Sequence, residues 1–157
     1  MIERRDFRGL AAAAGLAAAL GAGQAMAAGP TVVELSQTAC QFVESENGID
    51  HGYASSAKAD CEAINAKSGS ERLAAAKVLK LKPGKHVFRV TNRNVTYPLG
   101  FWLRGDGLVN RATLPSVSGG GLTTGTTKDY AIDLKPGTYV YSCPLNPTPD
   151  YKIVVEG

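Results

Sequence analysis

The chain has 157 residues, 44% of them hydrophobic and 20% charged, with a formal net charge of +3 at pH 7. That length is one domain's worth, enough for a real core. Basic residues are not clustered with interleaved aromatics, so no nucleic-acid partner is expected, and no run approaches the ~20 strongly apolar residues of a membrane-spanning helix.

Met1–Ala27 reads as a cleaved export signal. A charged start, Glu3-Arg4-Arg5-Asp6-Phe7-Arg8, precedes an Ala/Gly/Leu run over Gly9–Ala22, and Ala25-Met26-Ala27 supplies a small-x-small cleavage pattern. Arg4-Arg5-x-Phe7 resembles the twin-arginine signal, although Glu3 and Arg8 stand where that signal prefers Ser or Thr and leucine. The expected location is therefore periplasmic or secreted, with a single mature domain over 28–157 and no membrane span in it. Both methionines, Met1 and Met26, leave with the signal.

Thr31–Val43 alternates loosely and contains the first expected strand. Glu44–Ala54 is polar, with turn signals at Asn47-Gly48 and His51-Gly52. Ala57–Lys67 has helix-favouring composition, and Ser68-Gly69-Ser70 is expected to end that short helix. Glu71–Lys80 begins with helix propensity, but Val78–Leu81 reads as a strand entering Pro83-Gly84. Lys82–Asn92 is a clear strand with His86, Phe88 and Val90 on one face. Thr96–Arg104 is another, with Phe101 and Leu103 opposite Trp102. Leu108–Leu114 is expected to pair as a strand, and Ser116–Lys128 to form a Gly/Thr-rich connection. Its glycines lack the Gly-Lys-Ser/Thr and the following helix of a phosphate loop.

The last thirty residues carry the strongest pattern. Ala131–Leu134 alternates, Pro136-Gly137 turns, and Thr138, Val140 and Ser142 alternate with Tyr139, Tyr141 and Cys143. Pro144, Pro147 and Pro149 forbid regular pairing, and Tyr151–Val155 resumes as a final strand. Leu81–Phe88 and Leu134–Tyr141 share the pattern L-K-P-G-x-[HY]-V-[FY], an echo of two strands entering a fold alike. Many short strands with Gly/Pro turns predict an all-β sandwich.

Leu134, Pro136, Gly137, Tyr139, Tyr141, Cys143 and Pro144, followed by Ile153 and Val155, resemble the C-terminal half of cupredoxins, the blue-copper β-sandwiches. The resemblance implies a cupredoxin-like Greek-key sandwich, here with a short N-terminal helical/loop insertion. It also implies a copper site of two histidines, this cysteine and an axial group, usually methionine. The chain departs from that set. The first histidine slot falls near Leu99, the loop after Cys143 holds neither histidine nor methionine, and the mature chain has no methionine. His51 and His86 are the two imidazoles left to join Cys143 as metal ligands, and His86 echoes Tyr139, a packing position.

Of the three pairings open to Cys40, Cys61 and Cys143, an oxidising compartment favours a Cys40–Cys61 disulfide, a staple for the irregular N-terminal half. Cys143 is then either a metal thiolate or a small buried residue at a strand end. Two function classes stay open, neither enzymatic. One is a binding or accessory module without a cofactor. Its face is made of Tyr97, Pro98, Phe101, Trp102, Asn146 and Tyr151, and its partner is an unknown periplasmic protein or small molecule. The other is a periplasmic copper-binding electron-transfer protein with an atypical ligand set using Cys143.

Overall fold

The computed structural model describes residues 29–157, and the export signal expected over Met1–Ala27 lies outside the described residues. Nine strands form among the described residues: β1 Thr31–Thr38, β2 Gln41–Phe42, β3 Leu79–Leu81, β4 Gly84–Asn92, β5 Leu99–Gly105, β6 Val117–Leu122, β7 Thr127–Leu134, β8 Gly137–Ser142 and β9 Tyr151–Val155, with period-two alternation clearest in β4, β7 and β9. Two helices interrupt them, α1 Lys58–Ala75 and α2 Gly107–Thr113. The strands form a four-stranded sheet, β2-β1-β4-β7, and a five-stranded sheet, β3-β9-β8-β5-β6. The fold is the all-β sandwich expected.

The two sheets bury their facing sides. His86, Phe88, Val90 and Asn92 turn inward from β4, Phe101 and Leu103 from β5, and Tyr139 and Tyr141 from β8. Phe42 meets the rings of Phe101, Tyr141 and Tyr151 edge-on at 6.0, 5.4 and 5.9 Å. Such edge-on pairs add about 0.5–1.5 kcal/mol each beyond the area they bury. β1 runs parallel to β4, and β3 parallel to β9.

The echoed L-K-P-G segments are two of the corners at which the chain changes sheet. Leu81 ends β3 in the five-stranded sheet and Gly84 starts β4 in the other; Leu134 ends β7 in the four-stranded sheet and Gly137 starts β8 in the other. Both glycines hold positive φ, 122° and 149°, which a side chain at that position would resist.

Three local expectations are corrected. Helix α1 continues through Ser68-Gly69-Ser70 to Ala75. Ser68 bonds back to the Ile64 carbonyl at 3.1 Å, Gly69 is buried close against Asn65, and Arg72 anchors the next turn from below. Leu108–Leu114 is not a strand. Gly107, at φ 77°, turns the chain into α2, whose Asn110 backbone packs directly on Gly105. Ser116–Lys128 is not merely a connection, because Val117–Leu122 pairs with β5 as the edge of its sheet, Trp102 opposite Ser118. No helix among the described residues is long and apolar enough to cross a membrane.

Candidate functional site

Cys143 follows the last residue of β8 and is 1% exposed. Its sulfur accepts the backbone N–H groups of Gly100 at 3.4 Å and Asn146 at 3.2 Å. Burial pushes the thiol pKa up, and these N–H groups offset part of that rise. Leu99, directly before Gly100, is fully buried in the slot where the resemblance expects a histidine. The Gly100 carbonyl takes the Nε2–H of Gln37 at 2.8 Å, and Gln37 Oε1 has no partner among the described residues.

Asn146 sits three residues beyond Cys143 and is fully buried. Its Oδ1 accepts the N–H of Cys40 at 2.8 Å and the Tyr97 hydroxyl at 3.3 Å, and its Nδ2 donates to the Thr38 carbonyl at 2.9 Å. Cys40 and Cys61 are joined in a disulfide, and Cys61 Sγ lies 3.0 Å from the same Oδ1. The prolines keep the loop irregular, so its backbone relies on side chains for partners. Asn146 bolts it to the N-terminal segment.

The structure does not bring the three predicted metal ligands together. His86 lies at the start of β4, its Nδ1 2.9 Å from the Gly84 carbonyl. Asn92, six residues along the strand, marks the Cys143 end through its side-chain bonds to Val95 and Leu122. At about 3.3 Å per residue the two ends are about 20 Å apart. His51 instead donates Nε2–H to Glu46 Oε2 at 2.6 Å and stacks on Tyr53 at 5.3 Å. A blue-copper ion needs two imidazoles beside the thiolate. Cys143 has backbone amides, Leu99 and an already engaged Asn146 around it, so these residues do not fit that ion. Among the described residues no three His, Cys, Asp or Glu side chains gather as a metal-binding group.

A polar cluster not foreseen from the sequence lies beneath α1. Glu46, 4% exposed, receives Arg72 Nη2 at 2.6 Å, Arg72 Nε at 3.0 Å, His51 and the Tyr151 hydroxyl. Arg72 also reaches the Cys40 carbonyl at 2.9 Å and Asn65 at 2.9 Å. Burial opposes the Glu46 charge, but its bonds from Arg72, Tyr151 and His51 win and hold its carboxyl below the usual range. Burial with the charge of Glu46 pushes the Tyr151 phenol up. A cleft of about 300 Å³ opens over the cluster, walled by Ile49, Tyr53 and Glu71. His51 is five residues from Glu46, but Arg72 and Tyr151 are 26 and 105 residues away, so no spacing announces the cluster.

The expected docking face is only partly at the surface. Phe101, Asn146 and Tyr151 are buried, which corrects their assignment to it: the first and last face the sandwich core, and the loop carries Asn146 inward. Tyr97 is half-buried with its hydroxyl 2.7 Å from Ser55 Oγ, and Pro98 is exposed. Trp102 is half-buried on the outer side of β5. The guanidinium of Arg104 lies 4.0 Å from its ring centre and that of Arg111 lies 5.8 Å away. The alternation Trp102-x-Arg104 was a readable signal for that pair.

No family model and no curated protein matches the chain. Among solved structures it is similar to auracyanin B, at 14% identity and a TM-score of 0.50, over 84% of this chain and 94% of that one. Auracyanin A, described as a blue copper protein from the green thermophilic photosynthetic bacterium Chloroflexus aurantiacus, aligns at 15% identity over 82% of this chain and all of that one, with a TM-score of 0.41. The likeness to auracyanin B is one of fold: the chain has a cupredoxin-like fold.

Proposed function

We propose that this chain is an exported binding or accessory module on a cupredoxin-like scaffold, one that works without copper and without catalysing a reaction. The observation that carries the reading is the surroundings of Cys143. Its sulfur receives two backbone N–H groups, Leu99 fills the nearest ligand slot, and the amide of Asn146 is engaged by Cys40, Thr38 and Tyr97. Both imidazoles are occupied elsewhere. A polar side chain with its hydrogen bonds already made inside the protein gains little by turning to a metal.

A second reading keeps copper, and the same N–H pair favours it: donors aimed at sulfur stabilise a thiolate over a thiol. Titration of the protein with Cu(II), beside a Cys143→Ser variant, separates the two. Under the first reading no stoichiometric copper binds and no visible thiolate-to-copper band develops. A band present in the parent and lost in the variant overturns it.

A further inference from the structure

The strand register fixes which side chains share the outer side of the five-stranded sheet. Lys152, Val140 and Arg104 form one cross-strand row, and Ser142, Trp102 and Ser118 the next. Lys80 projects from β3, and α2 brings Arg111 over the Trp102 ring. Arg104, Lys152, Arg111 and Lys80 thus lie on this side, and two of them are paired. Asp150 is taken by Arg104 at 2.8 Å and Asp106 by Lys152 at 3.6 Å. Arg111 and Lys80 have no carboxylate partner among the described residues.

The outer side of the four-stranded sheet is different. There Arg89 bonds Asp129 at 2.8 Å and lies 3.4 Å from Glu34, while Lys85 stands opposite Asp133, so acids outnumber cations. Residues 29–157 hold fourteen basic and twelve acidic side chains.

The same place also offers apolar contact. Leu108 and Val109 on α2 are 87% and 76% exposed. Leu108 and Arg111 are three residues apart on that helix and so are neighbours on its surface. Tryptophan and arginine are among the side chains that dominate recognition energetics, and the exposed leucine beside them adds apolar area to bury.

We propose that this face, centred on Trp102 and Arg111, docks an acidic polypeptide segment whose carboxylates pair with Arg111 and whose apolar residue packs by Leu108. The inference rests on the reading of the chain as a binding module and names its partner's chemistry. An anionic bilayer is the poorer match. Asp106 sits at the start of α2 beside Leu108, and Asp150 is exposed on the same side. A flat anionic surface would press on both, whereas a short segment needs to reach only Arg111 and Leu108.

Trp102 is the one tryptophan of the chain and reports the contact directly. The probe is a short synthetic peptide rich in glutamate with a central leucine, and the readout is Trp102 emission. The expected result is a saturable change that weakens as salt rises from about 0.02 M to about 0.2 M. In Arg111→Glu the affinity drops at least about threefold, with circular dichroism unchanged because Arg111 is exposed. A lysine-rich peptide of equal length stays silent. The proposal is overturned by no emission change, or by equal affinity in parent and Arg111→Glu. It is also overturned if vesicles of phosphatidylserine and phosphatidylcholine bind while the peptide does not. Concentration-dependent self-association in place of peptide binding would likewise assign the face to a second copy of this chain. The Cu(II) titration on the same preparation tests the underlying reading separately. Peptide failure without a copper band removes only this face, and a copper band with peptide binding removes only the metal-free reading.

Discussion

Replacing Glu46 by glutamine keeps the shape of the side chain and removes its charge. The Arg72 guanidinium, in a residue 7% exposed, would keep its bonds to Asn65 and Cys40 but lose its only carboxylate. Removing one member of a buried ion pair costs about 3–5 kcal/mol, because the remaining charge is stranded in a poor solvent for it. Glutamine still offers one carbonyl oxygen to Tyr151 or Arg72, so the lower end, about 3 kcal/mol, is expected. With a urea m-value of about 2 kcal/mol/M, the unfolding midpoint falls by about 1.5 M. Glu46→Gln combined with Arg72→Met should recover most of the loss, since no charge is then stranded. Acid supplies an independent check. The folded carboxyl titrates below its ordinary 4.5, so its stabilisation is complete above that pH and disappears as pH falls through the folded value. The gap between parent and Glu46→Gln should therefore be full above 4.5 and narrow steadily as pH falls below it. A midpoint shift under about 0.3 M, a double variant no better than the single one, or a gap that persists in acid would refute the reasoning.

Three further outcomes follow from the same geometry. Replacing both Cys40 and Cys61 by serine opens a loop with a sequence separation of 21, which should lower stability by about 3 kcal/mol, read by denaturant unfolding against the oxidised parent. Asn146→Ala strands the buried Cys40 N–H and the Thr38 carbonyl, and should cost about 2 kcal/mol or more while speeding hydrogen exchange at the Cys40 amide. Gly105→Ala forces a methyl onto the Asn110 backbone and should lower stability by about 1–3 kcal/mol, whereas Gly107→Ala, with open space but positive φ, should cost less in the same thermal melts.

Strand periodicity was readable wherever one side of a strand is buried and the other wet. His86, Phe88 and Val90 on β4, and Tyr139 and Tyr141 on β8, face inward as their alternation requires. Signals failed where tertiary contacts override local preference. Ser68-Gly69-Ser70 weakens a helix in isolation, yet α1 continues because Arg72 is held by Glu46 one turn further on. The glycines of β6 carry no side chain to show a period, and only pairing with β5 makes that segment a strand. For the cysteine end, sequence reasoning offered His51 and His86 as companions of Cys143, whereas the structure puts Leu99 and Asn146 there. What sequence reasoning placed wrongly was Asn146 itself. A polar residue among prolines reads as surface, but it is buried because it satisfies backbone groups more than a hundred residues earlier.

Those distant partners bear on how the chain reaches its final form. Asn146 meets residues 106 and 108 positions earlier, and the Tyr151 hydroxyl meets a carboxylate 105 positions earlier. Closing a flexible loop of that size costs about 4 kcal/mol in entropy before any contact is made. Sandwiches built on such pairings fold in milliseconds to seconds rather than microseconds. During synthesis the Cys40 N–H, the Thr38 carbonyl and one side of Glu46 must wait in water until Asn146 and Tyr151 emerge. The five-stranded sheet is completed only by β9, which joins β3 to β8, and a polypeptide released short of Tyr151 would remain an open, unlatched pair of sheets.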